Sequence, residues 1–219
     1  MWAMSKRSGA ARDGKEDEPS GSGGTGGTLE PLPVPPDVGD NTASDAREAD
    51  VEEILWVTIE IPRGSRNKYE YDDALGRIRL DRTLHSSVVY PTDYGFVPDT
   101  LAADGDHLDV LVVVEEPTFP GCLVPARVIG LLDMEDDKGQ DDKVLAVPVG
   151  DPRFLGVRKL RDLPGHWLRE IEAFFATYKL LEDKLVNVKG WHDADAAWKV
   201  IARSRSAFNR PRATTKRDV

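Results

Sequence analysis

The sequence predicts an α+β fold: a small closed or nearly closed, OB-like β-barrel with two main C-terminal helices. Three observations carry that expectation. Short β-patterned segments bounded by Gly, Pro and Asp follow one another from Trp56 to Val149, helical periodicity appears only after residue 165, and the segment before Glu53 has neither pattern. Many short strands need a shared core, and two amphipathic helices arriving late can cover it.

The first element is Trp56 to Ile61, whose alternation places Val57, Ile59 and Ile61 on one face and Glu60 on the other. Pro62 ends the run. Lys68-Tyr69-Glu70-Tyr71 alternates likewise, so Lys68 and Glu70 share a face opposite the two tyrosines, and Gly76 to Leu80 reads as the return strand of a hairpin. Further strands are expected at Ser87 to Tyr90, Val110 to Val114, Cys122 to Leu132 and Val144 to Val149, each bounded by turn residues. From His166 to Leu181 the residues Trp167, Ile171, Phe174, Phe175 and Tyr178 recur at helical spacing and form one apolar stripe. Asp193 is placed to cap a second helix through Phe208, with Ala194, Ala197, Trp198 and Ile201 inward.

The ends differ from this domain, which is expected to span 53–208. Residues 1–52 hold the Gly/Ser/Thr run Ser20 to Gly27 and the proline-rich Pro31 to Pro36, with few apolar residues to offset ordering entropy, and read as a disordered tail. Gly21, Gly23 and Gly26 match the dinucleotide-binding glycine string by letter only, because neither a strand precedes them nor a helix follows. Residues 209–219 read as a frayed basic tail.

A formal net charge of −10 among 219 residues argues against general nucleic-acid binding, which needs a basic surface. Cys122 is the one cysteine, so no internal disulfide forms, and it reads as a small packed residue. No apolar stretch has the length of a membrane span or a signal-peptide core, and the acidic tail is unlike a transit peptide, so a cytoplasmic protein with no membrane partner is expected.

Chemistry concentrates in two acidic runs. Asp104-Gly105-Asp106-His107-Leu108-Asp109 stands at the mouth of an apolar strand, and Asp136-Asp137-Lys138-Gly139-Gln140-Asp141-Asp142-Lys143 repeats the signal. Carboxylates so crowded repel one another and are costly to desolvate unless cations neutralise them; oxygen-only donors suit Mg²⁺, Mn²⁺ or Ca²⁺. A solvated Asx turn is the plainer reading of either run alone. A calcium-binding EF-hand loop does not fit, because Leu108 stands where an oxygen ligand is needed and Asp109 where the turn needs glycine. The four histidines lack metal-ligand spacing, and His85-Ser86-Ser87 sets a base beside hydroxyls only in sequence.

Taken together, these runs resemble those of the family I soluble inorganic pyrophosphatases. The resemblance extends from Trp56 to Phe208 through Val57-Thr58-Ile59-Glu60-Ile61-Pro62, Lys68-Tyr69-Glu70, Asp81-Arg82, Tyr90-Pro91-Thr92-Asp93-Tyr94-Gly95-Phe96, Asp104 to Val110, Asp136 to Lys143 and Phe174 to Lys179. Phe119-Pro120-Gly121 and Gly150-Asp151-Pro152-Arg153 resemble the short bacterial members, particularly the actinobacterial ones.

The resemblance implies Mg²⁺-dependent hydrolysis of pyrophosphate by metal-activated water, with several Mg²⁺ per site and Mn²⁺ as a possible substitute. It implies that Asp104, Asp109 and Asp141 hold the tighter Mg²⁺, that Asp136 with Asp141 holds another, and that Glu60 reaches a metal on the leaving-group side. Asp106 is the expected general base. Lys68, Arg82, Lys143, Tyr178 and Lys179 match phosphate-binding positions, while Glu70 and Tyr94 match catalytic positions that orient these groups. A homo-oligomer, often a hexamer, is also implied. His107 departs from the family, which commonly has proline and less often glutamate there; its side chain is expected to point to solvent. Readings as a silent oligonucleotide- or metal-binding barrel, or as a hydrolase of nucleotides or polyphosphates, stand beside this one.

Overall fold

This computed structural model describes residues 53–210, so the expected tails before Glu53 and after Arg210 lie outside the described residues. The chain runs β1 (Leu55–Ile61), β2 (Asn67–Asp72), β3 (Arg77–Thr83), β4 (Asp93–Val97), β5 (Leu108–Val112), β6 (Leu123–Asp136), β7 (Gly139–Gln140), β8 (Lys143–Pro148), α1 (Gly165–Thr177), β9 (Asn187–Asp193) and α2 (Ala194–Phe208). Neighbours in the large sheet follow the order β1-β4-β5-β8-β6, and β1 pairs again with β6, so five strands form a ring. β2 and β3 make a separate hairpin.

Register explains what the ring presents. β5 and β8 are its one parallel pair, aligned Val110 with Val144, which sets Asp109 beside Lys143 at the entry ends of both strands. β6 crosses antiparallel, pairing Leu132 with Lys143, and its far end delivers Asp136 to the same place. Two apolar clusters receive alternate residues of these strands. One takes Leu111, Leu145 and Ile129 and is covered by Ile171, Phe174 and Phe175 of α1; the other takes Val110, Val112, Val144 and Ala146 and is covered by Ala197, Val200 and Ile201 of α2. Burying a Leu, Val or Phe side chain contributes about 1.5–3 kcal/mol, so these layers hold the strand ends rigidly. Cys122 packs partly buried against the second cluster.

The alternation assigned to β1 breaks at Glu60. Val57 and Ile59 enter the α2-side cluster but Ile61 enters the α1-side one, because the pairing with β4 shifts register between Ile59 and Ile61. Such a bulge puts two residues against one and re-aims the side chains around it. Gly95 is required there: a Cβ on it would stand 2.0 Å from the Thr58 carbonyl oxygen.

Three other elements correct the sequence reading. Ser87 to Tyr90 is not a strand. Tyr90 exchanges backbone bonds with the preceding turn, its N–H donating to Ser65 and its carbonyl accepting from Gly64, and Pro91 follows; the strand begins at Asp93. β9 was not anticipated. α1 stops at Thr177, four residues before the expected end, and a short 3-10 turn at Leu180–Glu182 follows, with Asp183 in the left-handed region at φ 54°. Asp193 caps α2 as expected, its carboxylate accepting from the Ala196 N–H. Among the described residues no helix is long and apolar enough to cross a membrane.

Candidate active site

The entry ends of β5 and β8, the far end of β6 and the β2–β3 hairpin surround a cavity of about 680 Å³. All thirteen residues singled out from the sequence line it: Glu60, Lys68, Glu70, Arg82, Tyr94, Asp104, Asp106, Asp109, Asp136, Asp141, Lys143, Tyr178 and Lys179. In total eleven carboxylate residues face seven lysines and arginines, so the cavity has an excess of acid.

Its floor is a triad of two half-buried carboxylates around a buried lysine. Lys143, only 2% exposed, donates to Asp109 Oδ2 at 2.6 Å and to Asp141 Oδ1 at 2.5 Å. Burial works against the ammonium, but Asp109 and Asp141 outweigh it and hold its pKa above the usual lysine range. One ammonium cannot neutralise two carboxylates. Burial, aided by the charge of Asp109, pushes the Asp141 carboxyl up in spite of Lys143. Tyr94 packs its ring 5.7 Å from Lys143 Nζ, and burial, then Asp109 and Asp141, raise its phenol well above the usual tyrosine range; it therefore stays protonated in its hydrogen bond to Asp109.

The walls carry the remaining cations. On the hairpin, Lys68 meets Glu70 Oε1 at 2.5 Å and Asp81 at 3.8 Å, while Arg79 holds the other Glu70 oxygen at 2.7 Å. Lys68 and Glu70 thus share a face, as the alternation predicts. Glu60, at the bulge, accepts from the Tyr71 N–H at 2.6 Å, and burial pushes its pKa up to about 8. Opposite, Lys179 donates to Asp136 at 2.8 Å, and Tyr178 is buried with its ring 5.3 Å from the Lys179 ammonium. These contacts accompany the early end of α1: beyond the helix Lys179 lines the cavity and Glu182 meets Arg82.

Two site features escaped the sequence. Glu182 takes Arg82 in a fork, Oε1 from Nε at 3.1 Å and Oε2 from Nη2 at 2.9 Å, while Asp81 takes Nη1 at 2.6 Å. The partners are 100 residues apart, so no local pattern announces them. His107 does not point to solvent. Its Nδ1 lies 2.9 Å from the Thr100 carbonyl, its Nε2 3.3 Å from Asp73, and its ring stacks on Phe96 at 4.7 Å and 14°. The apolar ring face has Phe96 to cover it, and the carbonyl of buried Thr100 needs a donor. Asp104 and Asp106, by contrast, stand exposed on the rim; Asp106 is 74% exposed, with Lys138 at 3.8 Å.

The donors suit a hard divalent cation: they are oxygens only, in excess of the local positive charge, and Lys143 Nζ marks a point where two carboxylates already share a cation. In the arrangement seen, no three Asp, Glu, His or Cys side chains among the described residues converge on one metal-sized point. Lys143 and Lys179 occupy the gaps between the carboxylates.

Comparison with known proteins follows the same residues. The sequence profile of the family described as inorganic pyrophosphatase matches residues 57–209. The inorganic pyrophosphatase of Methanosarcina mazei is 53% identical over 156 residues, which are 71% of this chain and 92% of the relative. That of Synechocystis sp. is 52% identical over 148 residues, 68% of this chain and 88% of the relative. Among solved structures, the inorganic pyrophosphatase of Thermus thermophilus superposes with a TM-score of 0.70 at 46% identity, covering 74% of this chain and 94% of that one. The Helicobacter pylori enzyme gives 0.71 at 41%, covering 73% and 95%.

Proposed function

The chain belongs to the inorganic pyrophosphatase family and is an inorganic diphosphatase, a hydrolase of pyrophosphate; on that premise we propose a Mg²⁺-dependent reaction with Asp106 as general base. The carrying observation is the charge of the cavity, eleven carboxylate residues against seven lysines and arginines. A polyanion cannot enter such a site without added positive charge. Mg²⁺, or Mn²⁺ in its place, supplies that charge when bound and lowers the pKa of water. Asp104, Asp109 and Asp141 would hold one ion, Asp136 with Asp141 another, and Glu60 one nearer the leaving group.

The chain's own groups divide the remaining work. Lys68, Lys143 and Lys179 offer point charges to phosphate oxygens, and the Tyr178 hydroxyl a further donor. Arg82, fixed by Glu182 and Asp81, keeps N–H donors for a phosphate, since five are available and three contacts are made. Glu70 orients Lys68, and Tyr94 steadies Asp109. Asp106 takes the proton of the attacking water on the exposed side, where it can pass on to solvent. A cytoplasmic homo-oligomer, with the hexamer as the implied form, completes the reading, and light scattering of the purified protein tests it.

The direct test is phosphate release from pyrophosphate with Mg²⁺, with Mg²⁺ plus EDTA, and by the Asp106→Asn variant. Rapid release that EDTA and the variant both abolish is expected. Release unaffected by EDTA would reject the metal, and a near-normal Asp106→Asn rate would reject the assigned base.

A further inference from the structure

We propose that His107 is a positioning residue, whose imidazole fastens the carboxylate turn Asp104–Asp109 to the Thr100 loop and thereby sets how tightly that turn holds a divalent cation. The inference rests on the functional reading above and concerns a residue to which that reading gives no role. Asp104 and Asp106 are exposed, so core packing does not position their carboxylates. Their placement comes from the backbone of the turn. That backbone is tied by the Ala102 N–H to the Asp106 carbonyl at 2.8 Å and by the Leu108 N–H to Thr100 Oγ1 at 2.9 Å, with Gly105 at φ 95° between the ties.

Thr100 is the node of this arrangement. It is 1% exposed, its hydroxyl donates to the Val97 carbonyl while accepting from Leu108, and its own carbonyl faces His107 Nδ1 at 2.9 Å. A carbonyl only accepts, so Nδ1 carries the hydrogen, and the bond fixes the ring as well as the turn. Stacking on Phe96 fixes it a second time, from the strand that pairs with Asp109. Nε2 faces the outer side of the cavity, 3.3 Å from the exposed Asp73, and carries none of the restraint. His107 therefore ties the carboxylate turn to the Thr100 loop and to β4. A proline at this position restricts the backbone φ directly; here a side chain supplies the restraint.

The test separates this role from general stability by exploiting which atom donates. In Asn the amide nitrogen occupies the δ position of Nδ1, whereas in Gln it sits one bond further out. Mn²⁺ binding to the full-length protein without substrate is measured by calorimetry and by the electron paramagnetic resonance of free ion, together with Tm and Mg²⁺-dependent turnover. His107→Ala is expected to weaken Mn²⁺ binding about tenfold, the usual effect of losing a group that orients ligands, and to raise the Mg²⁺ needed for half-maximal rate more than it lowers kcat. His107→Asn is expected to recover most of the affinity and His107→Gln little of it, at similar Tm. Wild-type affinity in all three variants, or equal losses in Asn and Gln, would overturn the proposal; should the Ala variant misfold, the Asn and Gln contrast decides alone. Wild-type protein that releases phosphate from pyrophosphate but responds in none of these variants refutes the role of His107 only, whereas wild-type protein that neither binds Mn²⁺ nor hydrolyses pyrophosphate refutes both readings.

Discussion

Asp106 and Asp109 stand three residues apart in one acidic run and have opposite surroundings. Asp109 is the second residue of β5, where the parallel register with β8 sets it against a lysine that is almost wholly buried; Asp106 sits on the rim turn, 74% exposed, 3.8 Å from a lysine that is itself exposed. The floor thus has its charges placed by strand pairing before any ligand arrives, and desolvation makes each of them matter. The rim has carboxylates that water still screens, and their geometry depends on how the turn is tied down. A carboxylate fixed against a buried lysine below and a solvent-exposed carboxylate above thus come from one short run.

The comparison can be broken most directly at the rim. If Asp106 acts chemically and not structurally, Asp106→Asn lowers kcat by about 10²–10⁴-fold, the range for a lost general base, while Tm stays unchanged. A fall in Tm with the rate would move Asp106 into the scaffold. The floor makes the reverse prediction. Lys143→Met leaves the half-buried Asp109 and Asp141 facing each other without their ammonium, which costs up to about 3 kcal/mol of stability, the low end for a broken buried pair, measured by urea unfolding in EDTA. A loss below about 1 kcal/mol would mean water reaches the pair and the floor behaves like an exposed ion pair.

This division also decides what was legible in the sequence. Of the thirteen proposed site residues, those in the two acidic runs stood out by composition, while the others were named through the resemblance of the segments that hold them; β1 was marked by alternation, and β5, β6 and β8 by apolar stretches bounded by turn residues. β4 escaped because Asp93 and Gly95 are turn letters that interrupt any apolar run, although all five of its residues are buried. β9 escaped for another reason: among the described residues it pairs only with β6, and Lys189 and Gly190 separate its partly buried Val188 and Trp191, with His192 exposed after them. The bulge at Glu60 was hidden because the apolar letters go on alternating while the backbone does not. Glu182 on Arg82 and His107 on Thr100 are consequences of tertiary placement, and neighbouring residues in sequence give no sign of either.

Glu60 lies between floor and rim, and sharpens the contrast through pH. Burial raises its pKa from 4.5 to about 8, so the folded protein without metal keeps a proton there that the unfolded chain releases. Its contribution to stability is therefore fully present below pH 4.5 and is lost as pH rises through about 8. In EDTA, Glu60→Gln is expected to remove a downward slope of at most about 1.4 kcal/mol per pH unit between those limits. An identical pH profile in the variant would mean that Glu60 is solvated like a rim carboxylate.

The smallest effect is expected at Lys138, the rim counterpart of Lys143. Its ammonium faces Asp106 at 3.8 Å with both side chains largely exposed. Screening and the entropy of two loose side chains leave such a pair worth about 0–1 kcal/mol, and less in high salt. Lys138→Met should therefore shift unfolding free energy by less than about 1 kcal/mol, with the difference fading as salt is added, where Lys143→Met gives a salt-insensitive loss. A large, salt-insensitive effect at Lys138 would show that the rim turn is held by this ion pair and not by its ties to Thr100, and the distinction between a preset floor and a tethered rim would fail there.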